Sequence, residues 1–327
     1  MKKILIAFIG IFLFAGLAVQ AADLVIESKT QTFNEGDSKI KFSGDVKVSV
    51  DSLRVEGQKA DVNVIDGQKL DTATFYDKPY AYEIKKNKKR EVKANILKLS
   101  LITKIVRAEG DSQSIVFEGQ KPIVVINADV QEYNTKTGVM TATGAVTIMY
   151  KELETFSNKA IIKTNKNGDL QDLELIGNAR VKQQDNESFA DRFYYDDATK
   201  LITATGNTTT NAIMENGDTL TLKSARQEYT QNTNTFNASG NVKVWYQDYF
   251  AQGPKIAVYP DKTTKKPNEI YFVGRSSITQ GMRTIYADKI RMILKPKDFH
   301  AEGNTRTVIK NIGGGGNGDD EEMTLGL

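Results

Sequence analysis

The sequence predicts an all-β protein, a stack of antiparallel strands generated by one repeated unit. Three observations predict it. A glycine recurs at a near-fixed interval, at Gly44, Gly110, Gly144, Gly177, Gly206, Gly240, Gly274 and Gly303, with steps of 34, 33, 29, 34, 34 and 29 residues from Gly110 onward. Self-similarity at such a period means one supersecondary unit copied many times. Around each glycine, apolar and polar residues alternate at period two, the mark of a strand with one buried face. No helical periodicity appears after the first 21 residues, and Asn, Gly, Asp and Lys cluster between the strand-like phrases as turns.

Residues 1–21 read as a cleavable secretory signal. Lys2 and Lys3 precede an apolar run from Ile4 to Leu17, and Val19-Gln20-Ala21 supplies the small-residue cleavage site. The rival reading is an uncleaved anchor, although the run is short of the roughly 20 residues that a membrane span needs. No Cys follows it, which excludes a lipid-anchored lipoprotein. Residues 22–312 form a continuous repeat body with no Pro- or Ser-rich linker, and 313–327 (GGGGNGDDEEMTLGL) has the composition of a disordered tail.

Within the body, the position four before each glycine holds Ile40, Val106, Met140, Leu173, Ile202, Phe236, Ile270 and Phe299. The position two before it holds Phe42, Ala108, Ala142, Leu175, Ala204, Ala238, Phe272 and Ala301. Val46 and Val48, Val146 and Ile148, Ala179 and Val181, and Val242 and Val244 continue the face beyond it. Residues between them are mostly polar, as in Lys41, Ser43, Asp45 and Lys47. Five copies read Ala-x-Gly, so the apolar face is small at mid-strand, where glycine marks a bend, a bulge or a close approach.

A second phrase lies between the glycines. It reads KADVNV (59–64), KANILKL (93–99), NADVQEY (127–133), FADRFYY (189–195), SARQEY (224–229) and YADKIRMI (286–293), with SNKAII (157–162) a weaker copy. NKNGD (165–169), YDDATK (195–200) and PDKTTKKPN (260–268) are turns. The early gap of 66 residues holds a position without its glycine, at Asp77 in DTATFYDKP (71–79). Segments 40–117 and 236–310 resemble each other at length, which points to an internal duplication.

Composition excludes several function classes. The chain has no Cys, so it owes nothing to disulfides. Removing Lys2 and Lys3 from 44 basic residues leaves 42 against 41 acidic ones, a net charge of +1, which argues against a nucleic-acid binder. The single histidine, His300, falls on a polar strand face. The aspartate of the second phrase recurs as Asp61, Asp129, Asp191 and Asp288, whereas a catalytic carboxylate is normally unique; a recurring one belongs to a turn or a strand rim. Asp196-Asp197 and Asp319-Asp320-Glu321-Glu322 lack calcium-loop spacing, and GGGGNG lacks the context of a phosphate loop. No catalytic residue, metal site or cofactor is expected. The cluster Lys85, Lys86, Lys88, Lys89 and Arg90 reads as a solvated hairpin loop, with contact to anionic phosphates as its functional alternative; Lys262, Lys265 and Lys266 hold the equivalent place in the second half.

GNVKVWY (240–246), ADKIRMI (287–293) and especially DTATFYDKP resemble the OstA-like (LptA) family of periplasmic lipopolysaccharide-transport proteins, and related phrases recur through nearly the whole mature chain. The resemblance implies a twisted, open β-jellyroll with a V-shaped groove, in the periplasm. Lipopolysaccharide acyl chains would lie in the groove with the headgroup outside. Modules would join by edge-strand pairing to an inner-membrane export complex, to an outer-membrane translocon, or head to tail with one another. The repeat number fits a doubled bridge or a fused pair of modules, and the resemblance does not decide between them. Groove candidates are Ile40, Phe42, Val46, Val48, Val106, Met140, Val146, Ile148, Leu173, Leu175, Ile202, Phe236, Val242, Val244, Ile270, Phe272 and Phe299. The same faces could instead close on each other as a dry core. The edges expected to dock partners are 23–32 and 305–312. Two other classes compete: a surface or periplasmic structural or adhesive β-repeat protein, and a polysaccharide lyase or hydrolase on a β-helical scaffold.

Overall fold

Alternation at period two becomes strand after strand, and the protein is all-β. The structure, a computed structural model, describes residues 25–310 except 35, 37, 51–52, 66–68, 86–87, 104, 135, 151, 166–169, 215–216, 265–266 and 295–297, together with 324 and 325. The chain divides into two units, residues 1–177 and 178–327. The signal segment lies outside the described residues.

The first unit holds β1 (Val25–Glu27), β2 (Thr30–Asn34), β3 (Lys39–Val50), β4 (Leu53–Ile65), β5 (Lys69–Tyr76), β6 (Tyr80–Lys85), β7 (Lys88–Lys93), β8 (Ile96–Ser100), β9 (Ile105–Glu118), β10 (Lys121–Asn134), β11 (Val139–Tyr150) and β12 (Leu153–Thr164). β13 (Leu170–Gln183) carries the boundary. The second unit continues with β14 (Asn186–Asp196), β15 (Leu201–Ile213), β16 (Thr219–Thr230), β17 (Thr235–Tyr246), β18 (Tyr249–Pro260), β19 (Pro267–Gln280), β20 (Arg283–Ile293), β21 (Asp298–Glu302), β22 (Arg306–Ile309) and β23 (Thr324–Leu325).

Every pairing is antiparallel, and most link chain neighbours, as short turns dictate; β1–β3, β4–β6, β5–β8, β7–β9 and β20–β22 skip one or two strands. In the first unit β1 and β2 both pair with β3, and β3 pairs with β4. β5–β6 and β7–β8 act as two interrupted long strands between β4 and β9. β9 to β12 then form a meander. In the second unit the meander runs from β14 to β20, and β21 and β22 share the far side of β20. Asx turns close several hairpins. Asp196 Oδ1 accepts from the Ala198 N–H at 2.8 Å, and Asp261 Oδ1 from the Thr264 N–H at 2.6 Å.

The recurring glycine is a bulge that bends its strand. At Gly144 the register jumps from Thr143↔Lys159 to Val146↔Ser157, so Gly144 and Ala145 oppose one residue. Both take positive φ, +82° and +41°, and glycine adopts that conformation without the steric cost borne by other residues. A Cβ at Gly144 would also collide with the Asp129 carboxylate, which lies across the bend. Asp191 and Asp288 lie in the same way over Gly206 and Gly303. The residue after the glycine then donates to that aspartate, Asn304 Nδ2 to Asp288 Oδ2 at 2.6 Å and Asn207 Nδ2 to Asp191 Oδ2 at 3.4 Å. The two sequence phrases are therefore two halves of one bend. Asp61 is a correction: it pairs with Thr74 and Lys41, three residues beyond the covering position, and does not belong with the other three.

Asp77 fills the place of the missing glycine. It and Lys78 adopt φ of 65° and 60°, and Lys59 Nζ lies 3.1 Å from Asp77 Oδ2 across the bend. Aspartate tolerates this left-handed conformation better than most residues, so the bend survives the substitution.

Each strand thus has two arms, and buried side chains lie on the inner face of both. In the second unit one buried cluster joins Ala238, Ile256, Ile270, Phe272 and Ile290 from one set of arms to Leu222, Val242, Val244, Ala251 and Ile278 from the other. Full burial of such aliphatic and aromatic side chains contributes about 1.5–3 kcal/mol each, which stabilises a chain that has no disulfides.

Candidate functional site

The paired inner faces are the candidate site. Of the sequence-derived groove residues, Phe42, Val46, Val48, Met140, Val146, Ile148, Leu173, Leu175, Val242, Val244, Ile270 and Phe272 are buried on them. Ile40, Val106, Ile202 and Phe236 are half-buried. Phe299 is 36% exposed. His300 is exposed, as its strand parity requires.

Polar bridges cross the interior in both units. Ser114, past the bend of β9, donates its Oγ–H to Gln131 Oε1 at 2.5 Å, and Gln131 sits on the opposite arm, facing Ala108. Gln131 Nε2 donates to the Ser112 and Ile126 carbonyls at 3.0 and 3.1 Å. In the second unit Thr210 Oγ1 donates to Gln227 Oε1 at 2.6 Å, and Gln227 faces Ala204 before the bend. Each member stands 96 residues after its counterpart, as do Gly110 and Gly206. The sequence reading missed these latches. Their signal was present in the shared Gln-Glu-Tyr of NADVQEY and SARQEY. The tyrosines that follow, Tyr133 and Tyr229, are both pushed to higher pKa by burial.

The first unit also buries a charge pair, and here the expected solvated loop is corrected. Lys88–Lys93 is strand β7, and alternation turns Arg90 inward, where it is 5% exposed, while Lys89 and Lys93 face out over the Tyr80 ring. Arg90 pairs in register with Glu83 of β6, which is 2% exposed. Arg90 Nη1 lies 3.6 Å from Glu83 Oε2, an ion pair too long to be a hydrogen bond. Burial lowers the guanidinium pKa from its ordinary value, against the pull of Glu83. Lys262 is exposed in its turn, and Lys265 and Lys266 lie outside the described residues.

At its C-terminal end the second unit contains a cavity of about 420 Å³. Tyr246, Tyr249, Ile278 and Ile285 line it from one set of arms, and Met292, Leu294 and Phe299 from the other. Gln280, Arg283 and Asp298 supply its polar margin. An apolar space with a few convergent polar groups at its edge is what an amphipathic ligand requires.

Among the described residues no cluster of three or more His, Cys, Asp or Glu is placed to hold a metal ion. Among the same residues, no helix is long and apolar enough to cross a membrane. The outer edge of β22, within the expected docking edge 305–312, pairs with β23 of the same chain through Thr307↔Leu325 and Val308↔Thr324. Of the segment 313–327, only those two residues are described.

Comparison with known proteins bears on this geometry. Residues 125–264 match the family model described as the LptA/(LptD N-terminal domain) LPS transport protein. The match takes in Gly144, Gly177, Gly206 and Gly240 and both latch glutamines. Comparison with curated protein sequences found no match. Among solved structures, the chain is similar to LptH, the LptA-homologous periplasmic component of the lipopolysaccharide transport device from Pseudomonas aeruginosa. The identity is 11%, the TM-score 0.35, and the likeness covers 39% of this chain and 95% of that one. At that score the likeness carries no argument.

Proposed function

We propose, from the match of residues 125–264 to the model of the LptA/(LptD N-terminal domain) LPS transport protein family, that this chain is a non-enzymatic periplasmic carrier. It binds the acyl chains of lipopolysaccharide between its strand arms and passes the lipid towards the outer membrane. The observation that carries the reading is the two-armed apolar interior with a 420 Å³ cavity at the end of the second unit. Each methylene moved from water into such an interior is stabilised by about 0.8 kcal/mol. The polar margin at Arg283 supports placement of an anionic headgroup outside.

Partners join at strand edges, because an unpaired edge offers a row of backbone donors and acceptors. The β1–β2 edge is the open docking site, for the inner-membrane export complex, the outer-membrane translocon or a second copy, whereas the β22 edge is paired with β23 of the same chain and takes a partner strand only in place of β23. A proline at Ile26 weakens assembly while leaving the fold largely intact, and unchanged assembly would refute the edge assignment; Val308, 3% exposed and paired with both β20 and β23, is not an edge probe.

Photo-crosslinkers test the carrier reading. Placed at the buried Val46, Val146 and Val242, they capture lipopolysaccharide in cells. Placed at the exposed Lys47 and Lys243, they do not. Capture only from the outward positions would overturn it.

A further inference from the structure

Arg90 is out of place in an apolar interior. It is 5% exposed, and its Nε and Nη1 have no hydrogen-bond acceptor. Its neighbours along the sheet are Glu83 on one side and Val116, 1% exposed, on the other. From the opposite arm the Tyr133 phenol acts on it electrostatically. Glu83 balances the charge but does not saturate the donors. A buried polar group in a folded protein is nearly always hydrogen-bonded, so an unmet donor calls for an explanation.

We propose that Arg90 binds a neutral oxygen acceptor, an ester-type carbonyl, on an acyl chain held inside the first unit. The proposal rests on the carrier reading above and names the chemistry that the interior selects. The acceptor is neutral because Glu83 already compensates the guanidinium. A second anion beside Glu83 would leave excess negative charge in a low-dielectric interior. The carbonyl comes from a lipid chain because Val116 and, beside it, Val124 line the inner face next to the guanidinium. Arg90 would thus register how deep a chain sits, through the oxygen it carries, and the remaining contacts would be indifferent to position.

Calorimetric titration of the full mature chain with three ten-carbon probes below their micellar concentrations tests this. The probes are monocaprin, a neutral ester, its ether analogue 1-O-decylglycerol, and decyl phosphate. Wild type prefers the ester to the ether by about fivefold, the worth of one hydrogen bond. Arg90→Met abolishes the preference while leaving ether affinity unchanged. Arg90→Lys, which keeps the charge and loses Nε, abolishes it too and serves if the methionine variant does not fold. Glu83→Gln shifts the preference towards decyl phosphate. An ester preference that persists in both Arg90 variants overturns the proposal and leaves the carrier reading standing. Wild type that binds none of the three probes overturns both.

Discussion

The two units bend their strands by the same device and yet bury different things. Each interior is crossed by a glutamine latch, Gln131 in the first unit and Gln227 in the second. Only the first encloses charge: among the described residues the buried ionisable pair, Glu83 and Arg90, lies there. Among its described residues the second buries Thr208, Ser224, Gln227, Ser276 and Ser277 but no charged group, and it ends in the cavity. What recurs at 96 residues is scaffold; what does not recur is where the units have specialised.

The largest effect expected from breaking this comparison is at the charge pair. Glu83→Ala strands a buried guanidinium and lowers stability by about 3–5 kcal/mol, measured by urea unfolding. The double change Glu83→Leu with Arg90→Met is close to neutral, because it removes both charges from the interior. A double variant as damaged as the single one would show that the pair holds the first unit together by itself.

The latches come next. Gln131 makes three hydrogen bonds, whereas Gln227 Nε2 finds no acceptor and its Oε1 accepts from Thr210. Gln131→Ala therefore costs about 2–3 kcal/mol and Gln227→Ala about 1 kcal/mol. Equal losses would mean that the two latches are equivalent despite their geometry.

Alkaline pH gives a smaller, graded effect. Burial raises the Tyr133, Tyr195 and Tyr229 phenols above 10, so past pH 10 the unfolded chain releases phenolic protons that the folded one keeps. Stability is unaffected below pH 10 and falls as pH rises beyond it. Tyr133→Phe makes that fall shallower, read as thermal midpoint against pH. The smallest effect is at Asp77, already in the left-handed conformation: Asp77→Gly changes stability by less than about 1 kcal/mol, while Lys59→Ala removes only an exposed ion pair.

Much of this was legible in the residues. Parity around the glycines predicted the inner face and the glycines themselves a bend or bulge, but the aspartate of the second phrase read as a turn or rim residue, and only the fold shows it covering the bend. Arg90 was not legible, because a run of lysine and arginine has the composition of a loop. Only its pairing with β6 and β9 turns one member of that run inward. Gln131 was hidden for the opposite reason: a single polar residue on an apolar face breaks the alternation without revealing what it reaches. Asp61 was grouped with the recurring aspartates by its local phrase, although strand register sets it three residues away. The cavity was invisible because it depends on arms that meet across the bend.

Native mass spectrometry of the protein purified without detergent from its own cells tests the central claim most directly. The account predicts a bound mass equal to lipopolysaccharide, lost when Val242 and Val244 are both replaced by Asp. Protein that carries no lipid, while remaining folded by circular dichroism, would contradict it.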